Sequence, residues 1–250
     1  GSIDPIRDAE VIETELMLAD LESLEKQITN ISKKARSGDK DLKIQLDIAE
    51  RVKAALSEGQ PARTVEPANE DEAHQFKILQ LLTAKPILYV CNVNEEEAAS
   101  GNDWTAKVEA MAKDQNAEVV VICASIESEI AQLDTEEEKK EFLETLGLSE
   151  PGLDRIIKAG FKLLGLQTYF TAGPKESRAW TVRVGAKAPE AAGVIHTDFQ
   201  KGFIKAEVID FADYTGLSGE QGAKDAGKMR QEGKEYVVKD GDVILFRFNV

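Results

Sequence analysis

Two short stretches carry the residue types that recognise a ligand. The first is Asn92-Val93-Asn94-Glu95, which directly follows the apolar run Ile87-Leu88-Tyr89-Val90-Cys91. An Asn side chain offers an acceptor and two donors, and a Glu carboxylate accepts from an exocyclic amine, so this loop has the groups that read the edge of a nucleobase. The second is Cys123-Ala124-Ser125, closing the run AEVVVICAS, where small residues let backbone N–H groups approach a planar ring. In open α/β sheets ligands bind beyond the carboxyl ends of the strands, which is where both loops stand. Asn after a strand is also a common turn former, so spacing alone leaves both readings open.

The phosphate-binding counterpart is absent from the sequence: no Gly-x-x-x-x-Gly-Lys-[Ser/Thr] occurs in the 250 residues. Other reactive types have no supporting context. Cys91 and Cys123, the two cysteines, sit in apolar runs without clustered His or Cys and read as buried reduced thiols. His196 has no nucleophile beside it and reads as a surface or packing residue, and His74 falls in a helical connector. Arg178, Trp180, Lys187, Lys201 and Lys205 mix basic and aromatic character of the kind that contacts RNA. Residues 167–250 carry about as many acids as bases, so any such patch is modest.

The elements that position the two loops follow from hydrophobic periodicity. Met17, Leu21, Leu24, Ile28, Ile31 and Ala35 alternate spacings of four and three, which predicts a helix from Asp8 to about Arg36 with a coiled-coil seam. Gly38 is placed to end it and Asp39 to cap a second helix carrying Leu42, Leu46, Ala49, Val52 and Leu56. A turn-rich connector and a shorter helix ending before Pro86 come next. From Ile87 strand and helix patterns alternate, the mark of a parallel sheet covered on both faces. Only two strands of that kind are present, and a doubly wound sheet needs more. The last part holds short strands at Leu166–Gly173, Arg178–Gly185, Phe203–Phe211 and Asp242–Val250, a small mixed-β domain.

The expected class is therefore α/β and α+β multidomain: lead-in 1–10, helical hairpin and connector 11–84, a partial doubly wound α/β domain 85–166 and a mixed-β domain 167–250. The Gly-Ser start without Met looks like the remnant of a cleaved tag, and the missing strands are expected upstream. Half a parallel sheet leaves an unpaired edge through which chains can oligomerise. With 31 Lys+Arg against 46 Asp+Glu the net charge is −15, which argues against wrapping nucleic acid with the whole surface. No run approaches the roughly 18 apolar residues of a membrane span, and the expectation is a soluble cytoplasmic protein.

The residues of both loops also carry a family resemblance. Asn92-Val93-Asn94-Glu95 and Cys123-Ala124-Ser125-Ile126-Glu127 resemble the fourth and fifth nucleotide-binding motifs of the YchF/Obg-like ATPases, a branch of the P-loop GTPase class. The stretch TYFTAGPKESRAWTVRVGAKAPEAAGVIHTDFQKGFIKAEVI, with GEQGAKDAGKMRQEGKEYVVKDGDVILFRFNV after it, resembles that family's β-grasp-like TGS domain. IDPIRDAEVIETELMLADLE is similar to the start of its coiled-coil insertion. The resemblance covers essentially the whole chain. It implies a P-loop-type nucleotide domain that prefers ATP to GTP, since Glu95 stands where guanine readers have Asp and Val93 replaces their Lys. Asn92, Val93 and Glu95 would line one side of the adenine pocket and Cys123, Ala124 and Ser125 the other.

The resemblance further implies an intact protein that hydrolyses ATP with Mg²⁺ and meets a ribosomal or RNA partner in a cleft between coiled coil and TGS domain. By itself this chain is expected to be inactive, because the phosphate cradle, the Mg²⁺-binding hydroxyl and the water-positioning segment are not in it. The alternative is a non-enzymatic RNA- or ribosome-binding module with a vestigial nucleotide pocket.

Overall fold

The computed structural model describes residues 3–35 and 38–249. The expected end of the first helix at Arg36, the Gly-Ser start and the final Val250 lie outside the described residues. The chain divides into two compact units between Ala159 and Gly160. It is a mixed α/β protein.

The first unit opens with helices α1 (Pro5–Ala35) and α2 (Lys40–Ser57). Gly38 lies at φ +87° and donates its N–H to Ala35 O, and the Asp39 carboxylate accepts from the N–H groups of Asp41 and Leu42. The sequence placed both residues in these roles. Leu24, Ile31, Ala49, Val52 and Leu56 are buried between the helices, with Met17, Leu21, Ile28, Leu42 and Leu46 packed partly against them. Ile48, fully buried, joins that core although the seam as read from the sequence passed over it.

Helix α3 (Glu70–Ile78) starts at Asn69, whose side chain accepts from Glu72 N, and ends well short of Pro86. Proline is not what stops it. The chain turns at Gln80, a non-glycine at φ +52°, and then runs so that Leu82 and Thr83 donate to Asp20 of α1.

Strands β1 (Leu88–Asn92) and β2 (Glu118–Ile122) are parallel, in register from Leu88 opposite Glu118 to Asn92 opposite Ile122. Between them lies α4 (Asp103–Asp114), capped by the Asn102 side chain on Trp104 N and Thr105 N. Three helices follow β2: α5 (Ala124–Ile130), α6 (Glu136–Thr145) and α7 (Gly152–Leu163). Cys123, Ile126, Ile130 and Leu143 close a small core with Ala98. Among the described residues β1 has no partner on its other edge. Val90 there is 45% exposed.

The second unit is built on β3 (Leu166–Ala172), β4 (Ser177–Arg183), β5 (Phe203–Asp210), β6 (Arg230–Glu232) and β7 (Asp242–Phe248). They form one sheet in the order β4-β3-β7-β5-β6, in which only the β3–β7 pair is parallel. Strand β6 and the helices α8 (Ala188–Ile195), α9 (Thr197–Lys201), α10 (Phe211–Gly216) and α11 (Glu220–Asp225) were not anticipated from the sequence. Strand β6 is three residues long and lacks a run of β-branched residues, and α9 to α11 are too short to show a period. The core gathers Tyr169, Val182, Ala191, Val208, Ile244 and Phe246. Tyr169 is fully buried, and its hydroxyl donates to Ala191 O at 2.9 Å.

Candidate functional site

All six residues singled out by the sequence line one cleft of about 540 Å³, together with Asn94 and Glu96. Parallel pairing explains the convergence: β1 and β2 run side by side in register, so the loops leaving their carboxyl ends are neighbours. Val93 N donates to Ile122 O at 2.9 Å, extending the ladder one residue past β1 and fixing where the first loop begins.

Two hydrogen bonds tie the loops together. Asn92 Oδ1 accepts from Ala124 N at 2.9 Å, and Ser125 Oγ donates to Glu95 Oε1 at 2.5 Å. The Asn92 amide nitrogen and the second Glu95 oxygen thus remain as a donor and an acceptor on one rim. Asn94 and Glu97 form a capping box around the 3₁₀ turn Glu95–Glu97, which holds the backbone of the first loop in a fixed shape. Asn92, Glu95, Ala124 and Ser125 are exposed, Val93 is half-buried and Cys123 is buried. Cys123 Sγ lies 3.7 Å from Ser125 Oγ, at the base of the cleft.

The sequence reading took Ala124 and Ser125 as the end of a strand; they are instead the first two residues of α5. Their N–H groups therefore belong to a helix start, where donors have no intrahelical partner. The sequence reading also expected both cysteines to be buried, which holds for Cys123, whereas Cys91 is half-buried. Partial burial, with the Glu109 charge adding to it, pushes the Cys91 thiol above its ordinary value, so it is a poor nucleophile at neutral pH. His196 caps α9, its Nδ1 accepting from Asp198 N at 3.2 Å and lying 3.4 Å from the Asp198 carboxylate. Arg178, in the second unit, stacks 4.4 Å over the Trp180 ring on β4.

The sequence motif includes Glu127 but does not show its role. Glu127, in the first turn of α5 after Ser125, accepts from Gly152 N at 2.7 Å and Leu153 N at 3.0 Å. It thereby satisfies two free donors at the start of α7 and ties that helix to the second loop. Gly152 is required there, since a Cβ would fall 2.7 Å from Glu127 Oε1 and 2.8 Å from Ile122 Cγ2. The available signal was Pro151-Gly152 at a helix start, which shows where α7 begins but not which distant carboxylate caps it.

A planar heterocycle with an exocyclic amine fits this donor and acceptor set. Among the described residues no cluster of His, Cys, Asp and Glu is arranged for a metal ion, and no helix is long and apolar enough to cross a membrane.

Known relatives are similar to this chain over its whole length. A family model named YchF-GTPase_C, described as "Protein of unknown function (DUF933)", matches residues 166–249. The Bacillus subtilis (strain 168) protein named "Ribosome-binding ATPase YchF" is 56% identical over 252 residues, an alignment covering 100% of this chain and 68% of that protein. The "Obg-like ATPase 1" of Rattus norvegicus is 43% identical over 254 residues, covering 100% of this chain and 64% of that protein. The structure of the Schizosaccharomyces pombe YchF GTPase superposes with a TM-score of 0.83 at 34% identity, covering 99% of this chain and 67% of that one. The chain belongs to the YchF/Obg-like ATPase family.

Proposed function

We propose that these residues supply the base-reading half of an ATP site in a translation-associated P-loop ATPase that binds the ribosome. The convergence of Asn92, Val93, Glu95, Cys123, Ala124 and Ser125 on one cleft carries the reading. Glu95, oriented by Ser125, presents its free oxygen to the adenine amine. Val93 gives an apolar wall where guanine readers place a Lys. ATP with Mg²⁺ is the cofactor, and the phosphates are held by groups outside these 250 residues. The hairpin of α1 and α2 is read as the family's coiled coil and residues 167–250 as its TGS domain, the parts that meet ribosome or RNA. The relatives named for ribosome binding support that assignment and a cytoplasmic setting.

The test has two arms. Sedimented with purified ribosomes, the 250-residue chain is expected to pellet with them; recovery wholly in the supernatant at low salt removes the ribosome assignment. Incubated with Mg-ATP, the same chain is expected to release no phosphate above buffer, because its sequence carries no Gly-x-x-x-x-Gly-Lys-[Ser/Thr] loop to hold the transferred phosphoryl group. Sustained turnover by a homogeneous sample would place catalytic groups within these residues and overturn the division of labour.

A further inference from the structure

A second polar cleft, of about 470 Å³, runs along the opposite edge of the two-stranded sheet. Its walls are β2 at Val119–Val121, the Ser100-Gly101 turn with Glu109 of α4, and α7 through Arg155 and Lys158. Glu118 N donates to Ile87 O, and Val93 N donates to Ile122 O, so the even-numbered residues of β2 face β1. Val119 and Val121 therefore turn their N–H and C=O groups outward. Among the described residues no strand pairs with them there.

Arg155 is the unusual group. Its Nε is buried without a hydrogen-bond partner, and no ion pair neutralises its guanidinium among the described residues. A guanidinium is always charged, has five donors and no acceptor, and its planar fork matches a carboxylate. A buried donor left unpaired loses the hydrogen bonds it had with water, and an incoming oxyanion restores them. Lys158 does not share this need, because Glu150 already holds its ammonium. Across the cleft Glu109 is exposed and likewise without a partner among the described residues.

The cleft thus offers one uncompensated cation, one uncompensated carboxylate and the outward carbonyls of a strand edge. That set suits a ligand with an anionic and a cationic end. A polyphosphate is disfavoured by Glu109 and Glu150 at the walls and by the net charge of −15. The volume falls within the roughly 300–1,000 Å³ of small-molecule sites. We propose that this cleft binds a small zwitterion of the amino-acid class, its carboxylate on Arg155 and its ammonium among Glu109 and the outward carbonyls of β2.

The Arg155 Nε–H signal reads the site directly by NMR on the whole chain, assigned by its loss in Arg155→Lys. Titration compares glycine, L-alanine, γ-aminobutyrate, acetate, methylammonium and inorganic phosphate. At least one zwitterion is expected to shift the signal saturably, about tenfold more tightly than acetate or phosphate (about 1.4 kcal/mol). Glu109→Gln, an exposed change with no packing consequence, is expected to erase that preference while acetate binding persists. Phosphate or acetate binding as tightly as every zwitterion would show a general anion site and overturn the zwitterion assignment. A signal that no probe moves would show that solvent alone satisfies Arg155, which also overturns it. Should Arg155→Lys fail to fold, the Nε–H signal is assigned by through-bond correlation to the Arg155 backbone in the parent chain, and Glu109→Gln still decides between these outcomes.

Discussion

Asp20 and Thr83 are 63 residues apart and share two hydrogen bonds: Thr83 N and Thr83 Oγ1 both donate to Asp20 Oδ2, at 2.7 and 2.6 Å. Leu82 N donates to Asp20 Oδ1 at 2.7 Å, and Thr83 Oγ1 in turn accepts from Ala62 N at 3.0 Å. Asp20 is 3% exposed in the middle of α1, so its carboxylate takes its hydrogen bonds from the connector rather than from water. Gln27, one heptad later on the same stripe, donates to Leu79 O. The two polar residues lash the segment preceding β1 onto the hairpin and so set where β1 starts.

Replacing Asp20 by Ala leaves two backbone N–H groups and a hydroxyl without their acceptor. The expected loss is about 3 kcal/mol or more, read as a lowered urea midpoint. Thr83→Val removes the hydroxyl and with it the acceptor of Ala62 N, but keeps the two backbone donations to Asp20, so it is expected to cost about half as much. Equal stability of Asp20→Ala and the parent chain would show that the lashing is dispensable.

The proposed function puts base choice on Glu95 and Val93. In a full-length member carrying these residues, the joint change Glu95→Asp with Val93→Lys is expected to move the ATP-to-GTP affinity ratio toward GTP by about tenfold. Competition titration measures it. An unchanged ratio would remove both residues from base recognition.

Gly152→Ala is expected to destabilise the first unit by about 1–3 kcal/mol through overpacking against Glu127 and Ile122. Combined with Glu127→Ala it should cost less than the two single changes added, because the carboxylate it collides with is gone. Strict additivity in a double-mutant cycle would mean that the two residues do not meet.

In the second unit, burial and then the hydrogen bond to the Asp242 carboxylate push the Tyr236 hydroxyl from its ordinary value near 10 up to about 12. A raised folded-state value means stability is fully present below pH 10 and is lost as pH rises toward 12. Alkaline titration followed by circular dichroism is expected to show that loss in the parent chain, with a shallower slope across the same window in Tyr236→Phe. Identical slopes would locate the alkaline sensitivity elsewhere.

By itself the sequence determined what is local and periodic. The 4-3 spacing from Met17 to Ala35, the Gly38-Asp39 turn and the Val/Ile runs of β1 and β2 each encode their element within a dozen residues. The position of both loops was legible because a polar cluster after an apolar strand marks a strand's carboxyl end. Only the tertiary structure decided what depends on distant partners. Asp20, Glu127 and Arg155 look in sequence like ordinary surface charges, because a carboxylate that caps a distant backbone and one that faces water have the same neighbours along the chain. The ending of α3 at Ile78 and the insertion of β6 at the sheet edge were likewise settled by backbone groups finding partners far away, a choice that no local propensity encodes.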